Sequence, residues 1–276
     1  MSLFLRNYTS SVEYIYLQVP IFQVKSSRKV GLYMKKWIVC FTLVWFIIVL
    51  GACNKELTKK EVIAKVEDHA HEVEDYHAVI KLGVEIVDNS SDKTLQSSKA
   101  ILTTDLNEKN LEGYGLVESN SNGISTNSEY YFTKENTFIN QNNQGWQVVP
   151  NQDQIIQDNT FYKNVFHIIP KIADKLVMTK QADSYVFTFK GKDLDVYRAF
   201  EDPYSVKFVG VEPEDVQQDI TIVINSKTFY IEKLTNTLKG QKDNISITIN
   251  INHVYKKMND IEKLKIPKKV IDEANF

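Results

Sequence analysis

The most regular feature of the chain is an alternation of apolar and polar residues with a period of two, the spacing of a β-strand. The alternation is cleanest at 76–86 and 245–252. Strands with one apolar and one polar face are typical of antiparallel sheets that are covered on one side. Shorter strands are predicted at 99–105, 113–119, 129–133, 137–140, 146–149, 185–190, 220–224 and 228–235.

Two segments have helical spacing instead. The first, 57–74, begins with a capping box, because Thr58 is a good N-cap residue and Glu61 follows three positions later. Its apolar residues recur every three or four positions, so one face of this helix is predicted to be buried. The second, 151–178, is predicted to be broken or kinked around Pro170.

Together these elements predict an α+β fold. The simplest packing is a large curved antiparallel sheet whose apolar face wraps around the helices. About 220 residues are ample for one hydrophobic core. Because no Pro/Gly-rich linker or fixed-period repeat divides the chain, residues 57–276 are predicted to form a single domain.

The N-terminal part has a different pattern. The basic start Met34-Lys35-Lys36 precedes an apolar run at 37–50, which is shorter than the roughly 20 residues that a membrane span needs. A basic start, a short apolar run and small residues at its end are the layout of an export signal. Residues 34–52 are therefore predicted to be a signal peptide, with an uncleaved anchor helix as the alternative. Residues 1–33 are interpreted as an upstream extension.

The apolar run ends in Leu50-Gly51-Ala52-Cys53, which resembles the lipobox of bacterial lipoproteins. The resemblance implies cleavage between Ala52 and Cys53 and diacylation of the Cys53 thiol. Two acyl chains anchor a protein stably, whereas one chain gives marginal binding. We therefore expect the domain at the extracytoplasmic face of the cell membrane, lipid-anchored through Cys53, with 53–56 as a short tether.

Charge and cysteine content exclude some classes of protein. The chain has 33 Lys and Arg against 35 Asp and Glu, and removal of 1–52 leaves 27 basic and 34 acidic residues. A nucleic-acid binder normally carries a basic face, so no nucleic-acid partner is expected. Because Cys40 lies in the predicted signal peptide, no disulfide is predicted in the exported domain.

Candidate catalytic and metal-binding residues are few. His69 and His71 point to different sides of a helix, and a metal site needs three or four converging ligands, so a solvated helix face is preferred over a metal site. No G-x-S-x-G nucleophile motif is present. His167 is predicted to pack in the core and His253 to lie at the rim of its strand. The sequence predicts no enzyme, no metal and no cofactor.

Three groups of short motifs carry a family resemblance. They are Tyr130-Tyr131-Phe132 with Gly145-Trp146-Gln147-Val148-Val149-Pro150, the hairpin at 224–231, and Ile266-Pro267-Lys268-Lys269-Val270. They resemble small Gram-positive lipoproteins related to LolA and LppX, over most of 54–276. The resemblance implies a half-barrel sheet wrapped around helices and, from better-known members, carriage of lipids or lipoproteins. It implies no catalytic residues.

Aromatic residues are concentrated between 185 and 208. One interpretation is ordinary core packing, and the other is a cavity between sheet and helices that takes acyl chains. The residues expected to line such a cavity are Tyr185, Phe187, Phe189, Phe166 and Ile169. The expected function is a membrane-anchored, non-catalytic carrier or chaperone for a hydrophobic or amphipathic ligand. The alternative is an envelope sensor or accessory module with a solid core and a protein partner.

Overall fold

A computed structural model describes residues 56–150, 161–204 and 206–274. The chain divides into two units, Met1–Glu56 and Leu57–Phe276. The second unit is the domain described below. The predicted upstream extension at 1–33, the signal peptide at 34–52 and residues 53–55 of the tether lie outside the described residues.

Within the described residues, one antiparallel sheet of eleven strands dominates the domain. Every predicted strand segment overlaps one of these strands, and several strands are longer than predicted. The strands are β1 (Asp75–Asp88), β2 (Lys93–Asn107), β3 (Glu112–Ser121), β4 (Ile124–Phe132), β5 (Asn136–Gln141), β6 (Trp146–Pro150), β7 (Val177–Lys180), β8 (Ser184–Lys192), β9 (Gln217–Asn225), β10 (Ile231–Lys242) and β11 (Ile245–Lys256).

The chain enters this sheet at its centre. The strand order is β6-β5-β4-β3-β2-β1-β11-β10-β9-β8-β7, so the chain steps outward from β1 to β6, crosses to β7 and steps back inward to β11. The first and last strands therefore pair with each other in the middle of the sheet. The sheet is open, with β6 and β7 as its edges. This large antiparallel sheet with a few helices confirms the predicted α+β class.

The described helices are short. They are α1 (Lys59–Ala70), α2 (Tyr162–Phe166), α3 (Ile168–Lys171), α4 (Leu194–Tyr204) and α5 (Lys268–Ala274), with a 3₁₀ turn at Pro213–Asp215. The predicted capping box at the start of α1 is confirmed. The Thr58 N–H donates to Glu61 Oε2 over 2.7 Å, and the Glu61 N–H donates to Thr58 Oγ1 over 3.3 Å.

The second predicted helical stretch differs from the structure. Its residues 151–160 lie outside the described residues, and the remainder contains the two short helices α2 and α3. Pro170 has no N–H to bond the Phe166 carbonyl, so α2 cannot continue through it as one regular helix. The helices α4 and α5 were not predicted. The aromatic-rich stretch 185–208 contains α4.

One face of the sheet carries helices and is called the helix face. It holds Tyr76 and His253, because the ring of Tyr162 in α2 lies 6.0 Å from that of Tyr76 and the ring of Tyr204 in α4 lies 5.3 Å from that of His253. Side chains directly opposite each other on paired strands share a face, so the strand register extends this assignment across the sheet. The other side is called the opposite face.

Candidate functional site

The five residues expected to line a cavity lie together between the sheet and the helices. Phe187 and Ile169 are 0% exposed, Phe166 is 3% exposed and Tyr185 is 6% exposed, while Phe189 is half-buried. All five pack in or against the hydrophobic core. A side chain without water-accessible surface borders no open cavity, so a ligand could reach Phe187 or Ile169 only if the core opened. Their role in ligand binding stays a prediction.

The helix face is buried along only part of its length. In β1, Tyr76 and Ala78 are 0% exposed and Ile80 is 4% exposed, whereas Leu82 is 41% exposed. These residues point to the same face, because side chains alternate along a strand. The change in burial therefore marks the position where the packed core ends on β1.

The central strands beyond that position form an apolar surface. Val84 and Ile86 continue the helix face of β1, and Ile249 and Ile247 stand opposite them on β11. These four side chains are half-buried. We call Leu82, Val84, Ile86, Ile247 and Ile249 the open patch.

Hydroxyl groups border the open patch on the side of β2 to β4. Ser98 stands opposite Val84 on the helix face. Further across the sheet, the hydroxyl oxygens of Ser119 and Thr126 lie 2.6 Å apart. An aliphatic surface next to hydroxyl groups matches a molecule that has an apolar part and a polar part.

The loop after α4 forms a wall on the other side of the open patch. Gly240 lies opposite Ile247 on the helix face, and a Cβ atom at Gly240 would lie 2.6 Å from Phe208 and 3.3 Å from Val211. Glycine thus allows both side chains to pack directly on the backbone of β10. Phe208 and Val211 are each 8% exposed, whereas Val209 at the tip of this loop is 87% exposed.

A buried polar cluster lies under α4. His253 is 0% exposed, and burial lowers its pKa to about 3, so its imidazole is neutral at physiological pH. His253 Nδ1 lies 3.0 Å from the Tyr255 hydroxyl. His253 Nε2, the Tyr204 hydroxyl and Asn236 Oδ1 have no hydrogen-bond partner among the described residues. The prediction that His253 lies at a strand rim is wrong, because helix α4 packs over this part of β11.

A carboxylate joins α2 to the sheet. Glu108 Oε1 accepts hydrogen bonds from the Tyr76 hydroxyl at 2.7 Å and from the Tyr162 N–H at 2.6 Å. The Tyr162 hydroxyl in turn accepts the Ile231 N–H at 2.7 Å. Burial raises the pKa of Glu108. These bonds hold the start of α2 over the centre of the sheet and so help to fix the limit of the covered region.

The remaining histidines do not converge. His69 Nδ1 lies 2.9 Å from Glu72 Oε2, and His77 Nδ1 lies 2.8 Å from Asp105 Oδ1. In the part of the chain that the structure describes, no group of three His, Cys, Asp or Glu side chains is arranged to hold a metal ion. The prediction that His167 packs in the core is wrong, since its side chain is exposed beside the Phe166 ring.

The predicted lipidation site cannot be placed in this geometry, because Ala52 and Cys53 lie outside the described residues. None of the described helices is both long enough and apolar enough to cross a membrane.

Fold and surface together define the class of this protein as an open antiparallel sheet with a few helices and a partly exposed apolar region on its central strands. The chain belongs to the family of unknown function DUF6612, whose model matches residues 58–275. The predicted resemblance to LolA and LppX is not supported by a family assignment. No curated protein matches the chain.

Two solved structures are distantly similar to this chain. One is a beta-barrel-like protein of the domain of unknown function DUF1849 from Brucella abortus, with 8% identity, 67% of this chain and 99% of that chain covered, and a TM-score of 0.23. The other is a DUF1329 family protein from Desulfovibrio piger, with 8% identity, coverages of 71% and 91%, and a TM-score of 0.20.

Proposed function

We propose that this protein is a lipid-anchored extracytoplasmic carrier that binds an amphipathic molecule on the open patch without chemically changing it. The observation that carries the proposal is the partly exposed aliphatic surface of β1 and β11, bordered by hydroxyl groups. Ligand sites are typically apolar surfaces with a small number of placed polar groups. An acyl chain fits the aliphatic part, and its polar head fits the hydroxyl border.

The proposed anchor supplies such molecules at short range. The N-cap residue Thr58 follows Cys53 by five positions, and an extended chain of that length spans at most about 18 Å. If Cys53 carries the lipid, the start of α1 stays close to the bilayer. The bilayer is then the nearest source of an amphipathic ligand.

The start of α1 also lies toward the end of the sheet that holds the open patch. Lys59 donates to the Leu176 carbonyl at 2.9 Å, and the adjacent Lys175 pairs with Asp193 at 2.7 Å. Asp193 directly follows Lys192, the last residue of β8. The strand pairing from β8 through β9, β10 and β11 places Lys192 in line with Glu85 of β1. Glu85 lies between two open-patch residues in the sequence.

Two matched substitutions test the ligand site. Leu82 on the helix face and Leu116 on the opposite face are both 41% exposed, so Leu82→Asp and Leu116→Asp introduce the same charge at equal exposure. Cells that express the full chain would be fed a diazirine-bearing fatty acid and irradiated, and crosslinked peptides would be mapped by mass spectrometry. We expect crosslinks in β1 and β11 that fall at least about fivefold in Leu82→Asp and persist in Leu116→Asp.

The same experiment can reject the proposal. Crosslinks that are absent, or that decrease equally in both variants, would show that the fatty acid reaches the protein only by proximity to the membrane. Crosslinks on Tyr185 or Phe187 would instead show that a ligand enters the region between sheet and helices, where one interpretation of the sequence places a cavity.

A second candidate function is an envelope sensor or accessory module that binds a protein. The 0% exposure of Phe187 and Ile169 favours it, because a packed core has no room for a ligand between sheet and helices. Formaldehyde crosslinking in cells would then join the full chain to one specific protein, and this adduct would not depend on Leu82.

A further inference from the structure

A pocket lies over strands β2 to β4 and the turn after β5. It is a groove of ≈ 680 Å³ whose lining includes Lys99, Glu118, Asn120, Ser125, Asn127 and Asn143, together with Ser119 and Thr126 from the hydroxyl border of the open patch. Glu118 pairs with Ile101 on β2 and with Asn127 on β4. The strand register therefore places its side chain on what we call the opposite face of the sheet. We call this pocket the polar groove.

The polar groove continues along the same face. A neighbouring pocket of ≈ 240 Å³ shares Glu118, Asn127 and Asn143 with it and adds Glu129 and Asn140. The lining of the two pockets thus combines five asparagines and two glutamates with the apolar side chains of Ile101, Leu116 and Val117. Carboxamides offer both donors and acceptors, and carboxylates accept hydrogen bonds.

Hydrogen bonds hold the walls of the polar groove in place. The Asn142 N–H donates to the Asn127 carbonyl at 2.8 Å, and Asn142 Oδ1 accepts the Asn127 N–H at 3.0 Å, so the turn after β5 is fixed to β4. In the hairpin between β3 and β4, Asn120 Nδ2 donates to Ser125 Oγ at 2.8 Å and Asn120 Oδ1 accepts the Gly123 N–H at 3.2 Å. A wall that is already ordered loses little entropy when a ligand binds.

Three aromatic rings form a group beside the Glu129 carboxylate. The Tyr114 hydroxyl donates to Glu129 Oε1 at 3.2 Å. The Tyr131 ring lies 4.7 Å from the Tyr114 ring and 5.6 Å from the Trp146 ring, and all three rings are half-buried. Burial raises the pKa of Tyr114 to about 12, so its hydroxyl stays protonated. Half-exposed rings offer flat apolar surface next to hydrogen-bonding groups.

We propose that the polar groove binds a glycan chain. Vicinal hydroxyl groups pair with carboxamides and carboxylates, and the C–H faces of sugar rings pack against aromatic rings. A phosphate-rich polymer is disfavoured because Glu118 and Glu129 outnumber Lys99.

A peptide is a poorer match for the polar groove than a glycan. Extended peptides commonly bind by adding a strand to a free sheet edge. The groove lies over β2, β3 and β4, each of which has a paired strand on both sides. The backbone groups of these strands are therefore already used, which leaves side chains to recognise the ligand.

The test compares two double variants of the full chain, purified in detergent. Glu118→Ala with Asn127→Ala removes two groove side chains. Glu85→Ala with Asn250→Ala removes the same residue types from exposed positions outside the groove. Calorimetry would use peptidoglycan strands stripped of their peptides as the glycan probe, and the released stem peptides as the comparison. We expect wild-type binding to the strands, about tenfold weaker binding in the groove variant, and no change in the control.

Three outcomes would overturn the glycan proposal: no binding to the strands, equal loss in both variants, or preferred binding of the stem peptides. The photo-crosslinking of the fatty acid should be unaffected in the groove variant, since the Glu118 and Asn127 side chains lie on the face of the sheet opposite to the open patch. The glycan proposal and the carrier proposal can therefore fail independently.

Discussion

The two halves of β1 have the same alternating sequence but different surroundings. In the first half, the helix-face residues Tyr76, Ala78 and Ile80 are buried against α2 and the core. In the second half, Leu82 is 41% exposed and the residues beyond it are half-buried. An apolar strand face is therefore a core in one place and an accessible surface in another, depending on where the covering helices end.

This difference separates the contributions of similar residues to stability. Complete burial of a large apolar side chain stabilises a fold by about 1.5–3 kcal/mol, and loss of packing adds to the cost of its removal. Open-patch residues lack part of this stabilisation, so they can change with less effect on the fold. The covered half maintains the domain, and the open half is available for binding.

The largest expected effect is on the covered half. Phe187→Ala should lower the free energy of unfolding by about 3–5 kcal/mol, because Phe187 is 0% exposed and its removal leaves a cavity. Urea unfolding followed by circular dichroism would measure the change. A loss below about 1 kcal/mol would mean that the region between sheet and helices is loosely packed, which would favour a ligand cavity there.

The next effect concerns the hydrogen bonds that hold α2 over the sheet. Tyr162→Phe should cost roughly 1–3 kcal/mol, since it leaves the buried Ile231 N–H without its acceptor. Tyr230→Phe is the matched control, because the Tyr230 hydroxyl accepts only a 3.3 Å bond from Asn259 near the surface. Equal losses in the two variants would show that the buried bond does not fix the limit of the covered region.

A third effect depends on pH. Burial lowers the pKa of His253 to about 3 in the folded state, against about 6.5 in an unfolded chain. The unfolded state therefore binds the proton more readily, and stability falls as the pH decreases from about 6.5 toward 3, by up to about 1.4 kcal/mol per pH unit. Stability above pH 7 is not affected by this group.

His253→Gln tests this assignment by urea unfolding at a series of pH values. We expect the difference in stability between wild type and variant to shrink or reverse below about pH 6. Glu108 acts in the other direction, because burial raises its pKa and protonation then favours the folded state. The comparison therefore uses the difference in the free energy of unfolding between wild type and variant at each pH, in which the contribution of Glu108 cancels. Parallel pH profiles would contradict the assignment.

The smallest effect is expected on the open half. Leu82→Ala should lower the free energy of unfolding by less than about 1 kcal/mol, because its side chain is already 41% exposed. The same unfolding assay would measure it beside Phe187→Ala. A loss of 3 kcal/mol or more would show that Leu82 is covered in solution, and the open patch would no longer be a ligand site.

The sequence predicted the sheet better than it predicted the site. The alternation at 76–86 and 245–252 is a local signal, so β1 and β11 could be predicted without knowing their neighbours. Their pairing with each other is a long-range contact and could not. Leu82 and Ile80 are equivalent in the pattern, and only the position of the helices makes one of them exposed.

Other misses have the same cause. His253 follows an aliphatic run and looks like a strand end from sequence, but α4 packs over it and buries it. In α4, the buried residues Val196, Tyr197 and Phe200 have helical spacing, which was a usable signal that the aromatic content of the segment obscured. The polar groove is formed by consecutive strands, but its Asn and Ser residues individually look like turn or surface residues.

The pairing of β1 with β11 also affects how the domain can form. Asn89, which follows β1, and Ser246 in β11 are hydrogen-bonded although they lie 157 positions apart in the sequence. During synthesis the chain emerges with its N-terminus first, so β1 lacks its partner β11 until nearly all of the domain has been made. Contacts of such long range slow folding. The newly made chain therefore stays incompletely folded for longer, and β11 completes the middle of the sheet last.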